Sequence, residues 1–355
     1  MVTPRLPGKG ARGVWGPIVS TSRRGPELAR ADRVLPGLWR LRLPLPWSAV
    51  PHVNAWAVAS DSGVVLVDCG LQQPDGLEQL SRALGGAGMR LEDVRLLVCT
   101  HAHPDHFGQA AAIVDAVGCE LWMHPAHAHA TEALAHPEAA LAGRLEMLRG
   151  SGVPESTVAA YAASRRDEPP SAEVVLPDRG LVAGMTVETD LGGFEVHEAP
   201  GHAPSHVVLH QAAGRLLLSG DHLLGRISLF YDVGYTPDPV AEFLESLDRV
   251  EGLDARLCLA GHARPFFDVR AHVKGTRRRV HEQLDIVRRA LSSTPRTPFE
   301  VAAPLLGAGE GEELPPLVLN WGLALARAYL GHLEAREEVT PLEGEGPARW
   351  ALGGA

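Results

Sequence analysis

From about Val34 the chain settles into short apolar runs separated by Gly, Asp and Pro. Leu38–Leu43, Asn54–Ala59 and Val64–Val67 have the length and residue types of strands, the last two joined by a turn at Asp61-Ser62-Gly63. Leu77–Leu84 predicts a helix, and Val94–Cys99 is a continuous apolar run of the kind a buried strand shows. Gly108–Val117 predicts another helix and Glu120–Met123 another strand. A second strand series is expected at Val174–Leu176, Thr186–Thr189, Phe194–His197, His206–His210 and Arg215–Leu218, with Ala213-Gly214 turning the last pair into a hairpin. Asp238-Pro239 reads as an N-cap followed by proline at the first helical position. The helix it opens carries Val240, Phe243, Leu244, Leu247 and Val250 on one face, and Arg256–Leu259 is a final strand. Two strand series, each followed by helices, predict an α+β fold in which two β-sheets pack together with helices outside.

Two blocks break that rhythm. Residues 127–170 are rich in Ala, Leu, Glu and Arg at apolar spacing of about 3.6, which predicts a helical, lid-like insertion. Beyond residue 270, Val273, Val280, Leu284, Val287 and Leu291 mark one helix, and Thr297-Pro298-Phe299-Glu300 is a capping box opening a second. Leu317–Leu333 is a third helix, and Val339 to Leu352 reads as a hairpin. Three helices and a β-wing suggest a winged-helix-like domain over residues 271–355, following a catalytic unit over 31–270. Residues 1–30 are basic and rich in Gly and Pro, and are expected to be a disordered tail. The pair Arg23-Arg24 is followed by charged residues instead of the apolar core of an export signal, so a cytoplasmic location is expected.

Composition narrows the function. A formal charge of -10 argues against gripping nucleic acid or an anionic membrane, both of which need a basic surface. No run approaches the roughly 18 apolar residues of a membrane span. Cys69, Cys99, Cys119 and Cys258 form no CxxC pair, and three of them (Cys69, Cys99 and Cys258) end or interrupt apolar runs, so buried thiols are expected in place of disulfides. The seventeen histidines matter more, because of where they fall.

Thr100-His101-Ala102-His103-Pro104-Asp105-His106 lies between a predicted strand and a predicted helix, at a strand's carboxyl end where sites on open sheets gather. Neutral imidazoles with a carboxylate are a ligand set suited to zinc or iron, and burying them unpaired would be costly. Three later positions repeat a metal-competent residue just after an apolar strand. They are His202 in Pro200-Gly201-His202, Asp221 in Ser219-Gly220-Asp221, and His262 in Ala260-Gly261-His262, each directly preceded by a glycine that permits a tight turn.

These motifs, together with Leu66-Val67-Asp68-Cys69-Gly70, resemble the metallo-β-lactamase superfamily over roughly residues 35–270. The HxHxDH form with a later Asp is similar to the branch of glyoxalase II, acyl-thioester hydrolases, lactonases and a winged-helix-bearing endoribonuclease. The resemblance implies an αββα sandwich and two divalent metal ions, with zinc expected and manganese or iron as alternatives. It implies that His101, His103 and His202 hold one ion, that Asp105, His106 and His262 hold the other, and that Asp221 bridges them. Two such cations, about 3.5 Å apart, lower the pKa of a shared water and polarise a carbonyl or phosphoryl oxygen. Asp105 is then the catalytic proton carrier, and Asp68 a carboxylate that orients a ligand histidine.

Other candidates are weaker. His206 and His222 could stand beside the site or be ordinary buried histidines. His124, His127, His129 and His136 read as a solvated helical region. Tyr231 and Tyr235 could reach substrate or simply pack. The expected activity is a binuclear-metal hydrolase acting on a thioester or ester carbonyl of a small-molecule acyl substrate. A phosphodiesterase or endoribonuclease is the alternative, and a mononuclear-iron persulfide dioxygenase a further one. Residues 291–355 hold four Arg and no Lys against nine Glu, which leaves Lys274, Arg277, Arg278, Arg279, Arg288 and Arg289 to bind any phosphate. The C-terminal block would then close one side of the cleft or form a homodimer contact.

Overall fold

The structure, a computed structural model, describes residues 28–166, 171–308, 315–342 and 344–353. The expected tail therefore lies outside the described residues up to Glu27; Ala29 is already buried and Arg30 opens the first strand. One sheet runs in the order β1 (Arg30–Leu35), β2 (Leu38–Trp47), β3 (Val50–Ser60), β4 (Gly63–Val67), β5 (Val94–Cys99), β6 (Glu120–Met123), β7 (Arg179–Gly180). Its first four strands are antiparallel neighbours, and β4 to β7 are parallel. The other sheet comprises β8 (Thr186–Val187), β9 (Phe194–Glu198), β10 (Val207–Gln211), β11 (Leu216–Gly220), β12 (Leu257–Ala260) and β13 (Phe266–Phe267), in the order β13-β12-β11-β10-β9-β8. Only β11 and β12 in it are parallel.

The strands read as unbroken apolar runs because both of their faces are covered. Val65, Val67, Leu96 and Val98 meet Val207, Leu209, Leu216, Leu218, Leu257 and Leu259 between the sheets. Their alternate neighbours Val64, Leu66, Leu97 and Cys99 face outward against α1 (Gly76–Gly86) and α3 (Ala110–Val117) through Leu80, Leu84 and Ile113. On the other sheet Val208, Leu217 and Cys258 face α7 (Pro239–Gly252) and α8 (Val269–Leu291). Side chains alternate with the period of two that strand geometry imposes, and the result is the expected αββα sandwich. Each buried Val or Leu contributes about 1.5–3 kcal/mol relative to exposure. All four cysteines are buried and free.

The inserted block forms α4 (Ala128–Ala135), α5 (Pro137–Gly150) and α6 (Glu155–Arg166). The C-terminal block forms α8, α9 (Pro298–Leu306), α10 (Pro316–Ala335) and a hairpin of β14 (Val339–Leu342) with β15 (Arg349–Leu352). The capping box at α9 is closed in both directions, Glu300 N donating to Thr297 Oγ1 and Thr297 N to Glu300 Oε2. Leu148, Val153, Val158 and Tyr161 of the insertion join Val273, Leu284, Leu323 and Tyr329 of the C-terminal helices in one core. The insertion is thus anchored on the C-terminal helices.

The strand expected at Val174–Leu176 is absent. That segment is irregular, with Val174 and Leu176 largely exposed, and the sheet edge is taken by Arg179–Gly180. Three apolar residues form a strand only where a neighbour accepts their hydrogen bonds, and here Asp178 takes the contact instead, its side chain accepting from Leu121 N. Conversely, β1 escapes prediction because its sequence, Arg-Ala-Asp-Arg-Val-Leu, carries the charges common on an edge strand. No helix among the described residues is long and apolar enough to cross a membrane.

Candidate metal centre

The seven candidate ligands converge at the carboxyl ends of β5, β9, β11 and β12. After β5 the chain turns through Thr100 to His103, and Pro104 starts a one-turn helix, α2 (Pro104–Phe107), that carries Asp105 and His106. Gly201 (φ 118°) and Gly220 (φ 46°) lie in left-handed conformations that a side chain would strain. Gly261 serves by its small size: a Cβ there would collide with Asp221 Oδ1 and the His106 ring. The His262 loop belongs to the second sheet but is gripped by the first. Asn54 N donates to Gly261 O (2.7 Å), Asn54 Nδ2 to Ala260 O (2.9 Å) and Arg40 to Ala263 O (3.0 Å).

Two groups of ligand atoms result. His101 Nε2 and His202 Nε2 each lie 3.0 Å from His103 Nδ1. Asp105 Oδ2 lies 3.2 Å from His262 Nε2 and 3.8 Å from His106 Nε2. Asp221 stands between the groups, its Oδ1 3.4 Å from His106 Nε2 and its Oδ2 3.2 Å from His262 Nε2 and 3.8 Å from His202 Nε2. Four nitrogen or oxygen donors about 2.0–2.1 Å from a tetrahedral zinc stand roughly 3.3 Å apart, close to these spacings. His106 Nε2 and Asp221 Oδ1 are buried without a hydrogen-bond partner, a cost of about 1–3 kcal/mol each that a shared cation removes. The donor set fits two divalent cations.

The surrounding hydrogen bonds select which ring nitrogen faces inward. Asp68, at φ 62°, accepts from Thr100 N (2.8 Å), Thr100 Oγ1 (3.0 Å) and His106 Nδ1 (2.8 Å), leaving the His106 Nε2 lone pair for the site. With its proton on Asp68, Thr100 Oγ1 accepts from His101 Nδ1 (3.0 Å), and His101 Nε2 is likewise presented. His262 Nδ1 donates to His52 O (3.0 Å). His103 is held the other way round, Nε2 donating to Asp232 Oδ2 (2.9 Å) and Nδ1 facing inward. Such outer contacts orient metal-ligating imidazoles.

Burial and neighbouring charge set the titration. Burial and the neighbouring imidazoles push His101 well down and His202 to about 4. His262 rises to about 10 because Asp221 and Asp105 outweigh the burial that opposes them. Asp105 falls to about 2: burial works to raise it, but His106 and His262 together prevail. The carboxylates of the centre are ionised at neutral pH, as cation ligands must be.

Asp68 sits where it was expected to orient a ligand. His206 stands beside the site, its Nε2 accepting from Asp221 N (3.1 Å). His222 does not border the cleft; it is buried against Phe243. Tyr231 does not reach a substrate, being fully buried with its hydroxyl toward Tyr329, while Tyr235 is 54% exposed and donates to His129 O. His129 corrects the reading of a solvated histidine run. It is buried, with Nδ1 3.1 Å from Asp232 Oδ2 and Nε2 2.8 Å from Ser205 Oγ. Neither His129 nor Asp232 lies in a motif; only their meeting across 103 residues of chain reveals them.

Fold and site together define a metal-dependent hydrolase. Residues 49–262 match the metallo-beta-lactamase superfamily, and the chain belongs to that family. It is 29% identical over 308 residues to "Probable metallo-hydrolase YqjP" of Bacillus subtilis (strain 168), covering 84% of this chain and 93% of that protein. A metallo-beta-lactamase family protein of Thermus thermophilus is similar in structure, with TM-score 0.76 and 27% identity over 90% of this chain and 100% of that one. A beta-lactamase domain protein of Burkholderia ambifaria gives TM-score 0.73 and 28% identity, covering 92% and 94%.

Proposed function

We propose that this chain hydrolyses the carbonyl of a small thioester or ester. In this reading two divalent cations, zinc foremost, are held by His101, His103 and His202 and by Asp105, His106 and His262, with Asp221 shared. The observation that carries the choice of substrate is the state of the basic face on α8. Arg277 is paired with Asp248 (2.6 Å) and Glu251 (2.9 Å), Arg278 and Arg279 with Glu282 (3.6 and 3.5 Å), and Arg288 with Asp285 (2.8 Å) and Glu338 (2.7 Å). Four of the six cations a polyanion would need on this face, Arg277, Arg278, Arg279 and Arg288, are already matched by carboxylates of the same chain, whereas each phosphate contact calls for a Lys or Arg. Beside the centre, the Phe230 ring lies 5.5 Å from the His103 ring and 5.6 Å from that of His202, an apolar wall suited to an acyl chain.

When bound, the cations supply Lewis acidity toward the carbonyl oxygen and lower the pKa of a shared water. The residues then divide the remaining work. The imidazoles and Asp221 fix the reacting geometry, Phe230 excludes bulk water from one side, and Asp105, ionised, accepts a proton and passes it to the leaving sulfur or oxygen.

The test is a comparison of metal-loaded protein on acyl thioesters, esters and single-stranded RNA, in wild type and in a variant with Arg277, Arg278 and Arg279 changed to Ala. Thioester or ester cleavage unchanged in the variant is expected. Metal-dependent RNA cleavage that collapses in the variant, with no carbonyl hydrolysis in either protein, would overturn the proposal.

A further inference from the structure

We propose that Asp232, clamped by His129, is a positioning residue that sets the affinity of the His101–His103–His202 group for its metal; this rests on the reading of those histidines as ligands. Asp232 lies in the irregular segment between β11 and α7, and His129 in α4, far apart in sequence. One carboxylate oxygen, Oδ2, stands 2.9 Å from His103 Nε2 and 3.1 Å from His129 Nδ1. The protons on this chain of contacts can be placed. Ser205 Oγ accepts from Ala102 N (3.1 Å), the residue between His101 and His103, and its own proton goes to His129 Nε2 (2.8 Å). His129 is then the tautomer with its proton on Nδ1, directed at Asp232. The carboxylate in turn holds the His103 proton on Nε2, so that the His103 Nδ1 lone pair is aimed at the metal group.

The backbone reinforces this arrangement. Asp232 N donates to His202 O (3.1 Å), so a single residue is tied to two of the three ligands of this group. Neither side chain is loose: His129 is 3% exposed and Asp232 16%. Without the carboxylate, the His103 ring is free to turn over or to carry its proton on Nδ1, and either change withdraws the lone pair. Asp68 plays the matching part for His106 in the other group, which makes the effect of Asp232 specific to one metal.

The experiment titrates zinc on the full chain against a chromophoric chelator, with far-UV circular dichroism and melting of the metal-free protein as controls. Wild type is expected to bind two equivalents, and His103→Ala to lose one. Asp232→Ala should weaken that same equivalent by about 10–100-fold, the usual cost of removing an outer partner of a ligand, and leave the other equivalent unchanged, with the metal-free variant still folded by circular dichroism. Asp232→Asn, which keeps an acceptor but not the charge, should fall between. Should Asp232→Ala fail to fold, His129→Gln tests the clamp separately, with a smaller weakening of the same equivalent expected. Unchanged affinities in the folded variants, or equal weakening of both equivalents with a lowered melting temperature, overturns the proposal while the metal-centre reading stands. Wild type that binds no zinc overturns that reading and the proposal with it.

Discussion

Asp105 and Asp221 show how much chemistry a single side chain can concentrate. Asp221 touches His106, His202 and His262, members of both groups, at 3.2–3.8 Å. Changing it to Ala is expected to cost most of the second zinc equivalent, measured by metal analysis after gel filtration; two retained equivalents would argue against a shared ligand. Asp105→Asn keeps the volume and one oxygen but removes the charge. With Asp105 as proton carrier, turnover should fall by at least ~100-fold while far-UV circular dichroism stays as in wild type. Near-normal turnover would take Asp105 out of the mechanism.

Among the elements, the segment from Asp221 to Asp238 depends on the C-terminal helices. Trp321 Nε1 donates to Leu229 O, Tyr329 donates to Gln283 Oε1 (2.6 Å), and its hydroxyl lies 3.4 Å from that of Tyr231. Tyr329→Phe should leave Gln283 Oε1 buried and unpaired, a loss of about 1–3 kcal/mol readable by urea unfolding. At the end of this segment Asp238 caps α7, accepting from Ala241 N (2.9 Å), and meets His332 Nδ1 at 2.8 Å. Burial works to raise the Asp238 pKa, but the His332 contact and the backbone N–H bonds lower it below the ordinary 3.8. A lowered folded pKa means the contribution is full above 3.8 and is lost as pH falls through the folded value. Asp238→Ala should therefore cost about 0.5–2 kcal/mol at neutral pH, and the gap to wild type should narrow in acid. A gap independent of pH would show that the carboxylate charge plays no part.

For the whole molecule, metal binding is expected to couple to folding, because the centre joins loops from both sheets. A cation bound only by the folded chain stabilises it by about 2.7 kcal/mol at a free concentration one hundred times its dissociation constant. Chelation should abolish hydrolysis and lower the melting temperature together, and zinc should restore both; a melting curve indifferent to chelator would contradict the coupling. Most of the strands and the seven candidate ligands were legible in the sequence because their causes are local. An apolar run such as Val94–Cys99 reports burial on both faces, and a glycine before His202 or Asp221 reports a turn at a strand end. The Val174–Leu176 segment misled because a strand needs a partner, and partners lie elsewhere in the chain. His129 and Asp232 were invisible for the same reason: nothing near either residue states what it will touch. Sequence alone determined the layers of the fold and the chemistry gathered at one end of them, since periodicity and ligand type are properties of neighbours along the chain. Only the tertiary structure decided which buried carboxylate orients which imidazole, that Arg277 and Arg288 of α8 are already paired with Asp248, Glu251 and Glu338, and that the C-terminal helices brace the loop beside the centre. Those outcomes depend on distances between residues that the chain itself keeps far apart.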